Sequence, residues 1–156
     1  MEGGKKFGLV TGGFDPMHGG HVDYIRAASR LCTFLFVGVN DDAWLVRKKG
    51  YRLLPQWHRV AVCEAIRGTY MAFPFSSPRG DAVPAIEKVR EHMIAGDTLI
   101  LFNGGDRDSS NVPQAELDAA DEVRYGIGGR GKRGSSSDFF DLAVKERERT
   151  KKGEAV

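Results

Sequence analysis

The sequence predicts an α/β fold: a single domain with a five-stranded, mostly parallel sheet and helices on both faces. Three observations carry that reading. Short runs that are apolar at every position alternate with segments of helical periodicity. Such strands are buried on both faces, which is how parallel sheets covered by crossover helices are built. The chain has 156 residues, 41% of them hydrophobic, enough for one core without disulfide or metal staples. Its 20 glycines are about twice the usual ~7% share. They concentrate at 12–20, 104–105 and 126–134, after the first strand, after the fourth and before the last helix. Ligands of open α/β sheets bind beyond the carboxyl ends of the strands, where these clusters fall.

The elements follow in order. KFGLV (6–10) reads as the first buried strand. HVDYIRAASRLC (21–32) sets Val22, Ile25 and Ala28 or Ser29 on one face and reads as a helix. FLFVGV (34–39) is the second strand, and NDDAWLVRKK (40–49) a short helix capped by Asn40 or Asp41. PQWHRVAVCEAIR (55–67) is a helix with Pro55 in its first turn. YMAFPF (70–75) is a third strand, weakened or ended by Pro74. AVPAIEKVREHM (82–93) is helical, with Ala85, Val89 and Met93 aligned. DTLILFNGG (97–105) is the fourth strand and DEVRYGI (121–127) the fifth. SSSDFFDLAVKERER (135–149) is the last helix, with apolar Phe139, Phe140, Ala143 and Val144. The polar stretch RDSSNVPQAELD (107–118) receives no element. The domain is taken as 1–150, with 151–156 a frayed tail.

Composition narrows the function classes. A net charge of +2 gives no support for non-specific nucleic-acid binding. No run approaches the ~20 apolar residues of a membrane span, and the N-terminal apolar run is too short for a signal peptide. Cys32 and Cys63 lie in apolar surroundings without a CxxC spacing, so two buried free thiols and a cytoplasmic location are expected.

The chemistry concentrates in TGGFDPMHGGHVDYI (11–25), which holds two of the four histidines. Gly12 and Gly13 let the backbone approach a bulky anion, and Gly19 and Gly20 do the same at the helix start. Free N–H groups and the helix dipole there favour phosphate. His18 and His21 are one turn apart and can face the same group. An imidazole donates a hydrogen bond to a phosphoryl oxygen as the neutral tautomer or as the cation. Two other readings stand beside this one: a metal site, which wants a third ligand, and a capping histidine next to an ordinary loop histidine.

GGFDPMHGGH resembles the signature of the HxGH nucleotidyltransferase superfamily, through Gly13, Phe14, Asp15, His18, Gly20 and His21 together. VGVNDDAWLVRKKG (37–50) resembles the second-strand segment of its cytidylyltransferase and heptose-phosphate adenylyltransferase branches. YRLLPQWHRVAVCEAIR (51–67) is similar to their following helix and places Arg52 and Arg59. NGGD (103–106) and RGKRGSSS (130–137) are similar to two further segments, in order and in spacing.

The resemblance, which runs over roughly residues 6–145, implies a small Rossmann-like domain. It implies transfer of a nucleotidyl group from CTP or ATP to a small phosphorylated alcohol or sugar, with release of pyrophosphate and no covalent intermediate. His18, His21, Lys48, Lys49 and Arg130 would be the catalytic groups. Thr11, Gly12, Gly13, Phe14, Gly20, Gly105, Asp106, Lys132, Ser135, Ser136 and Ser137 would hold the nucleotide. Asp15, Asp42, Arg52 and Arg59 would meet the acceptor. Mg²⁺ would travel on the triphosphate, and a homodimer is expected by analogy alone. Each assignment has a plainer counterpart. Asp15 can cap local N–H groups, Asp42 can complement a helix dipole, and the 47–49 basic run can be a solvated face. Arg52 and Arg59 can be surface residues and Asp106 a turn residue. His58 and His92 read as surface, and Trp44 and Trp57 as core or cleft wall. Two departures from the family pattern stand out: Gly-Lys-Arg-Gly precedes the serines, and 124–133 is basic throughout.

Overall fold

The computed structural model describes residues 3–129 and 134–154. Five strands, β1 (Lys6–Gly12), β2 (Phe34–Asn40), β3 (Thr69–Phe75), β4 (Thr98–Phe102) and β5 (Glu122–Arg124), form one sheet in the order β3-β2-β1-β4-β5. Its four pairings are all parallel among the described residues, so the expectation of a mostly parallel sheet becomes a fully parallel one. The reason lies in the connections. Every strand is followed by at least one helix, and a crossover of that length returns the chain in the same direction.

The central strand β1 pairs with β2 on one side (Leu9 opposite Phe36) and with β4 on the other (Leu9 opposite Leu101). Helices α1 (Gly19–Ser29) and α3 (Gln56–Glu64) cover one face, where Ile25, Ala28 and Cys63 meet Val10, Val37, Ile100 and Phe102. Helices α4 (Val83–Arg90) and α5 (Gln114–Ala119) cover the other, where Ala85, Ile86 and Val89 meet Leu9, Phe36, Leu99 and Leu101. Fully burying side chains of this size stabilises by about 1.5–3 kcal/mol each.

Asp41, not Asn40, caps α2 (Asp42–Lys49), accepting from the N–H of Trp44 at 2.6 Å. Strand β3 runs one residue past Pro74, which an edge strand tolerates. Helix α5 lies inside the polar segment to which the sequence gave no element. The last helix, α6 (Ser136–Lys151), leaves Phe139, Leu142 and Val144 exposed at 42%, 55% and 40%. Cys63 is buried and Cys32 half-buried, both as free thiols. Among the described residues no helix is long and apolar enough to cross a membrane.

The strand order reverses between β1 and β4. The crevice of such a sheet opens there, beyond the carboxyl ends of the strands.

Candidate active site

The loop after β1 is built around a strained turn. Phe14 has φ of 50°, a left-handed conformation unusual for a side-chain-bearing residue. Burial of its ring, 4% exposed and edge-on to His21 at 5.2 Å, holds it there. A Cβ at Gly13 would lie 2.6 Å from Leu45 Cδ2, so only glycine lets this loop settle on α2.

His18 is the N-cap of α1. The Gly20 N–H donates to its Nδ1 at 3.1 Å, and the His18 N–H donates to Nδ1 of His21 at 3.4 Å. The two rings stack with centroids 3.7 Å apart. Both Nδ1 atoms are therefore acceptors, and each neutral imidazole carries its proton on Nε2. Burial pushes the His21 pKa down to about 3, with His18 and Lys49 adding to the effect. Burial and then Lys49 lower His18 as well. The pair is two neutral donors on one helix start, and His18 is also that helix's cap.

A cleft of about 570 Å³ opens over this loop. Thr11, Gly12, Gly13, Phe14, Gly20 and both histidines line it from β1 and α1. Lys48 and Lys49 line it from α2, with Trp44 as a wall. The Lys48 ammonium lies 4.6 Å over the Trp44 ring. Burial lowers the pKa of Lys49, with Arg59 adding and Asp15 opposing. Gly105 and Asp106 enter from the loop after β4, and Ser135, Ser136 and Ser137 from the start of α6.

That helix start is fastened to the histidine loop. Ser136 Oγ donates to the Pro16 carbonyl at 3.0 Å, His18 lies 5.2 Å from the Phe139 ring, and Phe140 stacks on Tyr51 at 4.4 Å. Ser135 and Asp138 form a capping box. The start of α6 thus brings backbone N–H groups to the same cleft, one of which, that of Asp138, is taken by Ser135 Oγ. Arg130 and Lys132 lie outside the described residues.

None of Asp15, Asp42, Arg52 and Arg59 lines the cleft. Asp15 is 1% exposed and accepts the N–H groups of Leu53 (2.7 Å) and Leu54 (2.9 Å). Arg59, also 1% exposed, donates to the carbonyls of Gly13 (2.7 Å), Asn40 (2.8 Å) and Leu54 (2.9 Å) and to the Asp42 carboxylate (2.7 Å). Arg52 reaches the other oxygen of Asp42 at 2.7 Å. Desolvation pushes the Asp42 carboxyl up, but Arg52 and Arg59 together hold it below its ordinary value. These four residues lock the β1, β2 and α2–α3 loops together: the buried charges of Asp15 and Arg59 are satisfied by partners, and the half-exposed Asp42 and exposed Arg52 complete the ion-pair chain. Trp57 is likewise no cleft wall: it is 66% exposed and stacked on His58. His58 and His92 are exposed, as expected.

Sequence reasoning missed several cleft residues: Tyr24, Asp81, Asn103, Arg107, Glu116 and Gly128. Tyr24 Oη donates to the Phe102 carbonyl at 2.7 Å, tying α1 to β4. Gly128 has φ of 82°, and a Cβ there would sit 3.0 Å from the Tyr24 Cα. The glycine cluster was the available signal for Gly128. Nothing in the sequence marked Glu116, which is 2% exposed in a stretch that reads as surface.

Comparison with known proteins agrees with this geometry. A cytidylyltransferase-like family model matches residues 9–104. The bifunctional protein HldE of Halorhodospira halophila is 40% identical over 117 residues, covering 65% of this chain and 24% of that protein. HldE of Sodalis glossinidius is 34% identical over 114 residues, covering 66% and 24%. The chain thus spans 24% of the length of these curated relatives. Among solved structures, a lipopolysaccharide core biosynthesis protein from Thermoplasma volcanium superposes with a TM-score of 0.58 at 23% identity, over 78% of this chain and 96% of that one. A NadR protein in complex with NR superposes with a TM-score of 0.55 at 18% identity, over 94% and 41%. These structures share the fold.

Proposed function

The chain belongs to the cytidylyltransferase-like family, and from that membership we propose that it is a nucleotidyltransferase. It moves the CMP of CTP, or the AMP of ATP, onto a small phosphorylated alcohol or sugar and releases pyrophosphate. The observation that carries this reading is the histidine pair: both Nδ1 atoms are bonded back to the chain, which leaves two Nε2–H donors in a cleft walled by lysines and a serine-rich helix start.

A phosphate oxygen of the acceptor attacks the α-phosphorus in line. The bond to the bridging oxygen of the pyrophosphate breaks as the new P–O bond forms. Little covalent work falls to the protein, so positioning and charge stabilisation dominate. His18 and His21 donate to the α-phosphate oxygens as charge builds on them, without a proton leaving either ring. Lys49, whose charge burial already disfavours, gains most when an anion arrives. The start of α6 takes the β- and γ-phosphates. Mg²⁺ travels in this reading on the triphosphate, and the chain supplies anion-binding groups.

The test is pyrophosphate release from Mg·CTP or Mg·ATP across a panel of small phosphorylated alcohols and sugars. Release that requires one triphosphate and one acceptor supports the reading. Triphosphate binding without release from any member of the panel favours a nucleotide-binding module.

A further inference from the structure

One end of the cleft is polar and plays no part in the transfer chemistry above. Glu116, on α5, is 2% exposed yet lines the cleft. Its Oε1 accepts the Ala82 N–H at 2.7 Å, at the start of α4. Its Oε2 is buried and accepts no hydrogen bond, and the nearest cation is the Arg107 guanidinium at 3.8 Å. Asn103, immediately after β4, is 5% exposed and also lines the cleft. Its backbone is fully engaged, the N–H with the Arg124 carbonyl and the carbonyl with the Ile127 N–H. Its side-chain Nδ2 is buried without a partner.

Buried side-chain polar atoms without partners are few in native proteins, and each asks what satisfies it. Here two such atoms of opposite character, one acceptor and one donor, belong to side chains of residues that line the same cleft. A hydroxyl group is the ligand chemistry that both accepts and donates, so hydroxyls satisfy both atoms. A cation fits poorly, because Arg107 already offsets the Glu116 charge. An anion is opposed by the Glu116 carboxylate, and an apolar group leaves both atoms unpaired.

We propose that Glu116 and Asn103 form a hydroxyl-reading subsite that takes a neutral sugar or polyol portion of one of the two substrates. The inference rests on the nucleotidyl-transfer reading. It assigns specificity to Glu116, which the recognisable motifs do not include, and to Asn103 at the head of the NGGD segment. Two sources carry this chemistry: the ribose of the nucleotide and the hydroxylated end of the acceptor.

The experiment is calorimetric binding to the full chain with matched probe pairs. CTP and ATP are each compared with their 2′,3′-dideoxy analogues, and glycerol 3-phosphate with propyl phosphate. The variants are Glu116→Met, which removes the acceptor oxygens, and Asn103→Leu, which removes the amide donor and still reads out if the first folds poorly. The wild type is expected to prefer the hydroxylated member of one pair by about tenfold to a hundredfold, the range for a hydrogen bond to a charged group. The variants are expected to erase that preference while binding the dehydroxylated member as the wild type does. Loss in a nucleotide pair assigns the subsite to the ribose, and loss in the phosphate pair assigns it to the acceptor. No wild-type preference in any pair, absence of binding by the phosphate pair included, overturns the subsite, as does a preference that survives both variants. A chain that releases pyrophosphate but shows no hydroxyl preference refutes the subsite alone. A chain that binds neither triphosphate refutes the transferase reading as well.

Discussion

His18 caps α1 through the same ring that stacks on His21, with centroids 3.7 Å apart. Each imidazole spends its Nδ1 on the backbone and keeps its Nε2–H for the cleft. The structural and chemical duties of one side chain are therefore on different atoms, and substitution can separate them.

His18→Asn keeps a side-chain acceptor at the N-cap, a position that Asn fills well, but removes the cleft donor. Pyrophosphate release is expected to fall by about 10²–10³, the loss typical of one transition-state donor, with thermal stability nearly unchanged. His18→Ala removes both functions and is expected to lose about 1 kcal/mol of stability in addition. Thermal melts alongside turnover check the pair. Turnover retained in His18→Asn would place the role of His18 in capping alone.

The depressed pKa of His21 makes stability depend on pH. Its folded-state pKa, near 3, lies below the unfolded value of 6.5, so the unfolded chain binds the extra proton between those limits. Stability from this group is full above 6.5 and is lost as the pH falls toward 3, by at most about 2 kcal/mol at pH 5. Denaturant titrations from pH 8 to 4 are expected to show that slope, and His21→Gln to flatten it. A parallel slope in the variant would show that other groups produce it.

Arg59 is bonded to Gly13, Asn40, Leu54 and Asp42, drawn from three loops. Arg59→Met is expected to cost about 3–5 kcal/mol, because it strands buried partners. Chemical denaturation measures it. A variant of normal stability with a raised acceptor KM would restore the acceptor-binding role that burial argues against.

The Ser136–Pro16 bond couples the start of α6 to the histidine loop. Ser136→Ala is expected to lower stability by about 1 kcal/mol. It is also expected to raise the KM for the triphosphate more than that for the acceptor. Steady-state kinetics with each substrate varied in turn decide it, and equal increases in both would remove the coupling role.

The strands were readable because each is apolar at nearly every position, and burial on both faces leaves no other pattern. Helix α5 was not, because its six residues begin after Pro113 in a polar stretch and show no apolar repeat. The histidine loop stood out by its spacing, and its phosphate reading came from the resemblance carried by Gly13, Phe14, Asp15, His18, Gly20 and His21 together. The roles of Asp15, Asp42 and Arg59 were not: their positions were noticed, but an isolated charged residue is read as exposed or ligand-facing by default. The burial of Asp15 and Arg59 depends on N–H and carbonyl groups brought together from distant segments, and Asp42 on the two arginines it pairs with, which no local pattern encodes. Glu116 was invisible for the same reason.

The seam between β1 and β4, over which the cleft opens, joins the two most distant partners in the central sheet. Lys5 meets Asp97 across 92 residues of intervening chain. Contacts of such long range form late, since the intervening chain must be gathered first. A nascent chain can assemble β1, β2 and β3 while still lacking any binding site, because the other wall has not been synthesised. Docking of β4 on β1 therefore supplies the second wall of the cleft, and the start of α6, whose Ser136 reaches Pro16 across 120 residues, must still be gathered to complete it.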